Sequence, residues 1–151
     1  MGVRRARWTM EVVVFVGLQG AGKSTHYRER FAATHVLVSK DLLRNNRRPQ
    51  RRQMQLIEAA LRDGRSVVVD NTNPTVEDRA ALIGLARAFG ATVAVVLFET
   101  PLDECLRRNA ERAGRARVPD AAIRNTARRL RWPTADEGFD RMERAGSGGA
   151  S

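Results

Sequence analysis

Disulfide chemistry has almost no material here: the 151 residues include one cysteine, Cys105, with no partner for an internal bridge. A lone thiol fits a reducing, cytoplasmic setting. Long apolar runs are also missing. No stretch approaches the 18 or so residues a membrane-spanning helix needs, and Val12 to Val16 is too short for the apolar core of a signal peptide. Aromatic residues make up 5%, so few flat side chains are available for stacking. Trp132 and Tyr27 are the candidates, and core packing suits both better. His26 and His35 are the only histidines and lie too far apart to suggest a metal site. No internal repeat and no second domain are visible. The rest is ordinary for one soluble intracellular domain: 42% apolar and 29% charged residues, in a length that buries roughly two-thirds of its unfolded surface.

Lysine is nearly absent too. Lys23 and Lys40 are the only two, so arginine supplies 25 of the 27 basic residues against 17 acids, a net charge of +10. The charge is uneven. Arg4, Arg5 and Arg7 open the chain, and Arg44, Arg47, Arg48, Arg51 and Arg52 follow with no acid between residues 42 and 57. Residues 107–117 hold Arg107, Arg108, Arg112, Arg115 and Arg117 against Glu111 alone; residues 124–131 hold Arg124, Arg128, Arg129 and Arg131 against none. Such clusters favour polyanionic partners. A general bias toward Ala and Arg produces the same pattern, and charge alone does not separate the two.

Apolar runs alternate with amphipathic segments. Strands are expected at Glu11–Val16, His35–Val38, Ser66–Asp70 and Thr92–Phe98. Helices are expected at about Lys23 to Ala33, at Asp41 to about Arg62 with an interruption near Pro49, after Asn73-Pro74, from Pro101, and from Val118-Pro119 to about Arg131. Thr75 and Asp78 have capping-box spacing, and Phe89-Gly90 closes that helix. This alternation argues for a parallel α/β sheet. Residues 1–10 read as a basic extension, 11–145 as the domain and 146–151 as a flexible tail. On such a sheet Gly17–Ser24, Ser39-Lys40-Asp41, Asp70–Asn73 and Glu99-Thr100 all fall at carboxyl ends of strands, where open α/β sheets bind ligands.

Gly17-Leu-Gln-Gly-Ala-Gly22-Lys23-Ser24 matches G-x-x-x-x-G-K-[ST], with a strand before it and a helix after. Gly17, Gly20, Ala21 and Gly22 allow a tight turn whose N–H groups face a phosphate at the positive end of a helix. Lys23 would bridge β- and γ-phosphates, Ser24 would ligate Mg²⁺, and Thr25 continues the motif. The expectation is a nucleoside triphosphate site, with ATP and Mg²⁺ as ligands. Asp41 ends the second strand, within reach of a γ-phosphate, where a carboxylate accepts the proton of an attacking hydroxyl; a helix cap is the other reading. Asp70, after Val67-Val68-Val69, has the form of an acid that holds Mg²⁺ directly or through water.

Taken together, the glycine-rich loop, Ser39-Lys-Asp41-Leu-Leu-Arg44, Val67-Val-Val-Asp-Asn-Thr-Asn-Pro74, Arg108-Asn-Ala-Glu-Arg112, Val118-Pro119 and Pro133-Thr-Ala-Asp-Glu-Gly-Phe139 resemble the kinase domain of polynucleotide 5′-hydroxyl kinases. The resemblance covers about residues 11–140, with the motifs in family order. It implies an α/β P-loop kinase with a small parallel sheet of about four strands, flanked by helices and carrying an Arg-rich lid. Asp41 is then the general base for a nucleic acid 5′-hydroxyl, and Arg44 holds the neighbouring phosphate. Lys40 replaces a usual Arg beside the base, Asn71 and Asn73 shape the acceptor site, and Arg108 and Arg112 neutralise the transferred phosphoryl group. Family members often continue past Glu-Gly-Phe into another apolar strand, which Asp140-Arg-Met-Glu-Arg-Ala does not supply. The chain holds no Asp-x-Asp pair, so the phosphatase that often accompanies such kinases is not expected. A small-molecule hydroxyl as acceptor (nucleoside, sugar or antibiotic) and a nucleotide-dependent binding module are the alternatives.

Overall fold

A run such as Val12–Val16, apolar at every position, has no side that tolerates water, so it forms a strand only where both faces of a sheet are covered. That is its place in the structure, a computed structural model that describes residues 9–43 and 45–146. Strand β1 (Glu11–Gly17) is central. Helix α1 (Lys23–Arg30), β2 (His35–Val38), a 3₁₀ turn (Lys40–Leu43), α2 (Pro49–Arg62), β3 (Ser66–Val69), α3 (Val76–Ala88), β4 (Thr92–Phe98), α4 (Leu102–Ala110), a second 3₁₀ turn (Gly114–Ala116), α5 (Asp120–Arg129), a third (Ala135–Glu137) and β5 (Arg141–Arg144) follow. The sheet is parallel throughout in the order β2-β3-β1-β4-β5. Val12 lies between Val67 and Val93 in register, and Gly17 lies beside Phe98.

Period-two alternation sends Val12, Val14 and Val16 to one face, against Ile57 and Leu61 of α2 and Leu82 and Ala86 of α3. Val13 and Phe15 go to the other face, with Cys105 of α4 and Ile123 of α5. After β1 the chain steps outward to β2 and returns through β3; after β3 it crosses β1 to reach β4. The crevice at the carboxyl end of β1 therefore lies where the winding reverses, the expected ligand position in such sheets.

Two elements differ from the sequence expectation. Helix α2 starts at Pro49, which occupies its first turn, and not at Asp41; Asp41 belongs to the separate 3₁₀ turn. The sheet has five strands where about four were expected. β5 needs no apolar run because it is an edge strand with mostly exposed side chains, and such charges also discourage pairing with other chains. Asp140 sets its start: its backbone N–H donates to the Val93 carbonyl at 2.8 Å, and its carboxylate accepts from Val93 N–H at 2.7 Å and Arg87 at 2.8 Å. Met10 packs against the core and its carbonyl accepts from Thr92 N–H, so Met10 belongs to the folded body. The arginines at 4, 5 and 7 and the tail from 147 lie outside the described residues.

A buried ion pair joins α3 to the segment before β5. Arg79 is fully buried and meets the Glu137 carboxylate in two bonds of 2.8 and 3.0 Å, while its third nitrogen donates to the Asn73 carbonyl at 3.0 Å. Glu137 also accepts from Thr134 N–H, closing a capping box. Removing one partner of such a pair strands the other charge out of water. Glu137→Ala should therefore lower stability by about 3–5 kcal/mol in urea unfolding. Replacing both residues with leucine should cost distinctly less, and equal losses would contradict the role given to the pair.

Candidate active site

Close approach of β1 and β4 dictates glycine at the mouth of the loop. A Cβ on Gly17 would lie 2.7 Å from Phe98 Cβ and 2.8 Å from its carbonyl oxygen, an overlap neither strand can relieve. Gly20 and Gly22 have φ of 87° and 99°, the left-handed region glycine enters without strain. Gly22 precedes α1 and offers no side-chain cap, and the first turn carries no acid. The leading N–H groups of α1 are thus left for an anion.

Lys23 is 9% exposed, and its ammonium donates to the carbonyls of Gly17 at 3.0 Å and Leu18 at 2.7 Å. Burial lowers its pKa from 10.5 to about 8, with the Asp70 carboxylate acting in the opposite direction. Asp70 is itself 8% exposed, and burial raises its pKa above the usual carboxylate range against the pull of Lys23 and a 3.4 Å bond from Ser24 Oγ. For each group burial outweighs the pull of its neighbour, so Lys23 and Asp70 only partly compensate one another. A triphosphate with a divalent ion supplies charge of both signs. Ser24 Oγ and Asp70 Oδ2 are hard oxygen donors, two in number, which suits Mg²⁺, an ion that keeps waters and substrate oxygens as its other ligands.

The cleft around them holds about 640 Å³ and is lined by Gln19, Gly20, Gly22–Thr25, Lys40, Asp41, Asp70–Pro74, Arg112 and Arg129, among others. Asp41 is exposed; its N–H donates to Ser39 Oγ at 3.2 Å, and among the described residues its carboxylate has no hydrogen-bond partner and no ion pair. It caps no helix there. Lys40 N–H donates to Asn71 Oδ1 at 2.8 Å, and the Asn71 amide reaches Gln53 in α2. Asn73, the one non-glycine with positive φ (43°) among the described residues, turns its amide into the sheet and donates to the Phe15 carbonyl at 2.7 Å. It holds the loop and offers no amide to the cleft. Ala21 backs the loop by accepting from Thr100 Oγ1 at 3.2 Å. Arg108 reaches the same loop, donating to the Gly20 carbonyl at 3.3 Å while paired with Glu104 at 3.0 Å. Arg112 faces the cleft and depresses the Lys23 pKa slightly. Arg44 lies outside the described residues.

Sequence reasoning did not single out Arg129, Arg28 or Gln19 as cleft residues. Gln19 ties the loop to α5 through Thr126 Oγ1 at 3.2 Å, and Arg28 donates to Thr25 at 3.2 Å. Arg129 was one of several arginines in a run, and only the fold shows that it faces the cleft. Tyr27 packs as expected, donating to the His35 carbonyl. Trp132 does not: it is 41% exposed and lies in a separate groove of about 1030 Å³ beside β5 that contains no glycine-loop residue. Cys105 is fully buried behind the loop, and burial raises its pKa, which keeps the thiol neutral.

The sequence pattern of the family described as AAA domain matches residues 12–133. A bifunctional polynucleotide phosphatase/kinase of Schizosaccharomyces pombe is 28% identical over 137 residues, 88% of this chain and 33% of the relative. The chain thus spans about a third of the length of that curated relative. Among solved structures, Kti12 of Chaetomium thermophilum in complex with ADP-AlF3 superposes with a TM-score of 0.70 at 18% identity over 87% of each chain. A sugar kinase from Janibacter sp. gives 0.67 at 18% identity, over 89% of this chain and 85% of the other. At these identities the likeness establishes the fold alone, a parallel α/β sheet flanked by helices. No helix among the described residues is long and apolar enough to cross a membrane.

Burial of Lys23 gives the site a pH signature. Between pH 8 and 10.5 the unfolded chain keeps a proton on Lys23 that the folded chain has lost, so stability rises with pH across that window. Without nucleotide or divalent cation, the difference in unfolding free energy between wild type and Lys23→Met should move toward wild type by roughly 3 kcal/mol across the window. An unchanged difference would mean that Lys23 titrates as in water.

Proposed function

The chain belongs to the AAA domain family, and on that premise we propose that it is an ATP- and Mg²⁺-dependent kinase transferring the γ-phosphoryl group to the 5′-hydroxyl of a polynucleotide or oligonucleotide. One observation carries the transferase reading: the unpartnered Asp41 carboxylate in the same cleft as Lys23, Ser24 and Asp70. A binding module has no use for a free carboxylate opposite its phosphate loop. For a kinase it is the general base.

In this reading the acceptor oxygen gives its proton to Asp41 and forms a bond to the γ-phosphorus, while the bond from that phosphorus to the β–γ bridging oxygen breaks and ADP leaves. Lys23 turns from the carbonyls of Gly17 and Leu18 toward the phosphates and recovers the charge compensation that burial denies it. Arg112, and Arg108 released from the Gly20 carbonyl, neutralise the oxygens of the moving group; correctly placed arginines contribute about 10³–10⁵ in rate in phosphoryl transfer. Bound at Ser24 and Asp70, Mg²⁺ supplies charge neutralisation on the phosphate oxygens. Asn71 fixes the Lys40–Asp41 turn, and Asn73 fixes the loop that carries Asn71. Arg44, three residues after Asp41, is assigned to the phosphate next to the acceptor nucleoside.

The polynucleotide acceptor rests on the resemblance of Ser39–Arg44, Asp70–Pro74 and Arg108–Arg112 to polynucleotide kinases, and on the 28% identity to the phosphatase/kinase across 88% of this chain. A small-molecule hydroxyl is the second reading. Its support is that no aromatic side chain among the described residues lines the cleft, and a stacked base has no partner among them there.

Asp41→Asn separates base catalysis from structure. Nucleotide affinity should stay within a few-fold of wild type while transfer falls by at least about 10². Equal collapse of both would make Asp41 a structural residue.

A further inference from the structure

Some arginines among the described residues pair with a carboxylate. Arg62 pairs with Glu58, Arg79 with Glu137, Arg87 with Asp140, Arg107 and Arg108 with Glu104, and Arg141 with Glu11 and Glu143. At the end of α5, Arg131 lacks an acid but donates to the carbonyls of Arg128 and Leu130. The start of α2 differs. There Asn46, Arg47, Arg48, Arg51, Arg52 and Gln55 surround a concave space of about 560 Å³ with no acid in its wall. Among the described residues Arg47, Arg48 and Arg51 have no side-chain partner, and Arg52 donates only to the neutral Gln55 at 3.3 Å.

What sets this group apart is its clustering: four guanidinium groups gather around one hollow with no acid in its lining, where they repel one another. The preceding residue Arg48 stands at the cap of α2 without a side-chain hydrogen bond, and the first turn carries no acid, so the positive helix end adds to the field. An anion with several charges in a row is the ligand such a surface fits.

The hollow is also fastened to the cleft. Gln53, between Arg52 and Met54 on α2, is 1% exposed and accepts from the Asn71 amide, whose oxygen accepts from Lys40 N–H beside Asp41. That chain of bonds links the arginine surface to the loop and turn that present the base.

We propose that this arginine-lined hollow binds the phosphodiester backbone of a single-stranded nucleic acid whose 5′ end lies at Asp41, so that α2 sets the acceptor's length and charge preference. The inference rests on the polynucleotide reading above and gives it a surface. Fluorescence anisotropy with labelled single-stranded oligonucleotides bearing a free 5′-hydroxyl, in the absence of ATP, tests it without requiring turnover. Wild type should bind an oligonucleotide of about ten residues more tightly than a dinucleotide. Its log Kd against log salt should show a slope magnitude of about 1.4–2.1, for two or three phosphates engaged at about 0.7 each. With Arg47, Arg48, Arg51 and Arg52 all changed to Gln, the length gain should vanish and the slope flatten, with ATP affinity and thermal unfolding unchanged. R48Q/R51Q serves as the milder variant if the fourfold change unfolds the chain. Unchanged slope and length dependence in a folded variant overturn the proposal and leave the kinase reading intact. So does displacement of the oligonucleotide by inorganic phosphate at equal phosphate concentration, which makes the hollow a free-anion site. Oligonucleotides held through these arginines but never phosphorylated support the surface and sink the kinase reading.

Discussion

Everything at the carboxyl end of the sheet is arranged around an ammonium group that folding takes out of water. Lys23 lies behind the loop it belongs to, held by two backbone carbonyls and close enough to Asp70 for each to alter the other's titration. Two carbonyl bonds do not replace a hydration shell, which is why its proton is lost near pH 8. The fold tolerates this because the central strands are buried on both faces and supply far more stabilisation than one ammonium removes. A site that keeps a cation and a carboxylate both undercompensated is completed by a ligand carrying the missing charges, and a metal–triphosphate carries both signs.

The two walls of the cleft are built differently. On the Asp41 side, the third-strand loop is bonded on every flank: Asn73 to β1, the Asn73 carbonyl to Arg79, Arg79 to Glu137, Asn71 to Gln53 and Lys40. Two of these bonds are buried and the other three part-buried, so this wall is held from within the fold. On the other side, Arg108 of α4 and Arg112 just after it are held by exposed contacts to Glu104 and Ala116 and a part-buried one to Gly20. Exposed ion pairs are worth little, so these arginines exchange partners at small cost when phosphate arrives. In the proposed transfer, Asp41 would be the base on the bonded wall and the two arginines would bring charge from the mobile one.

The sequence disclosed whatever is local. β1, β3 and β4 were legible because burial on both faces forces unbroken apolar runs, and the glycine loop because its residues recur at fixed spacing beside one strand. The Thr75 cap was legible for the same reason, and its hydroxyl accepts from Asp78 N–H. β5 was not, since an edge strand needs pairing on one side only and Arg141–Arg144 carries no apolar pattern. Arg79 and Glu137 stand 58 positions apart, beyond any spacing rule. The available hint was an arginine on the stripe of α3 that also bears Leu82, Ile83 and Ala86. Asn73 could be read as a site residue from its motif, but only the backbone angle and the bond to Phe15 show that it acts from behind the cleft. Among the arginine runs, sequence reported charge; the fold separated the partnered from the bare.

The central claim is that this cleft moves a phosphoryl group from ATP to a nucleic acid 5′-hydroxyl. It is tested most directly by incubating the protein with γ-labelled ATP, Mg²⁺ and matched oligonucleotides, RNA and DNA, that differ only in a 5′-hydroxyl or a 5′-phosphate. The account predicts label on the 5′-hydroxyl strand, removable as inorganic phosphate by a phosphatase, and none on the strand already phosphorylated. Label appearing only on a sugar or nucleoside, or released only as inorganic phosphate, would contradict it.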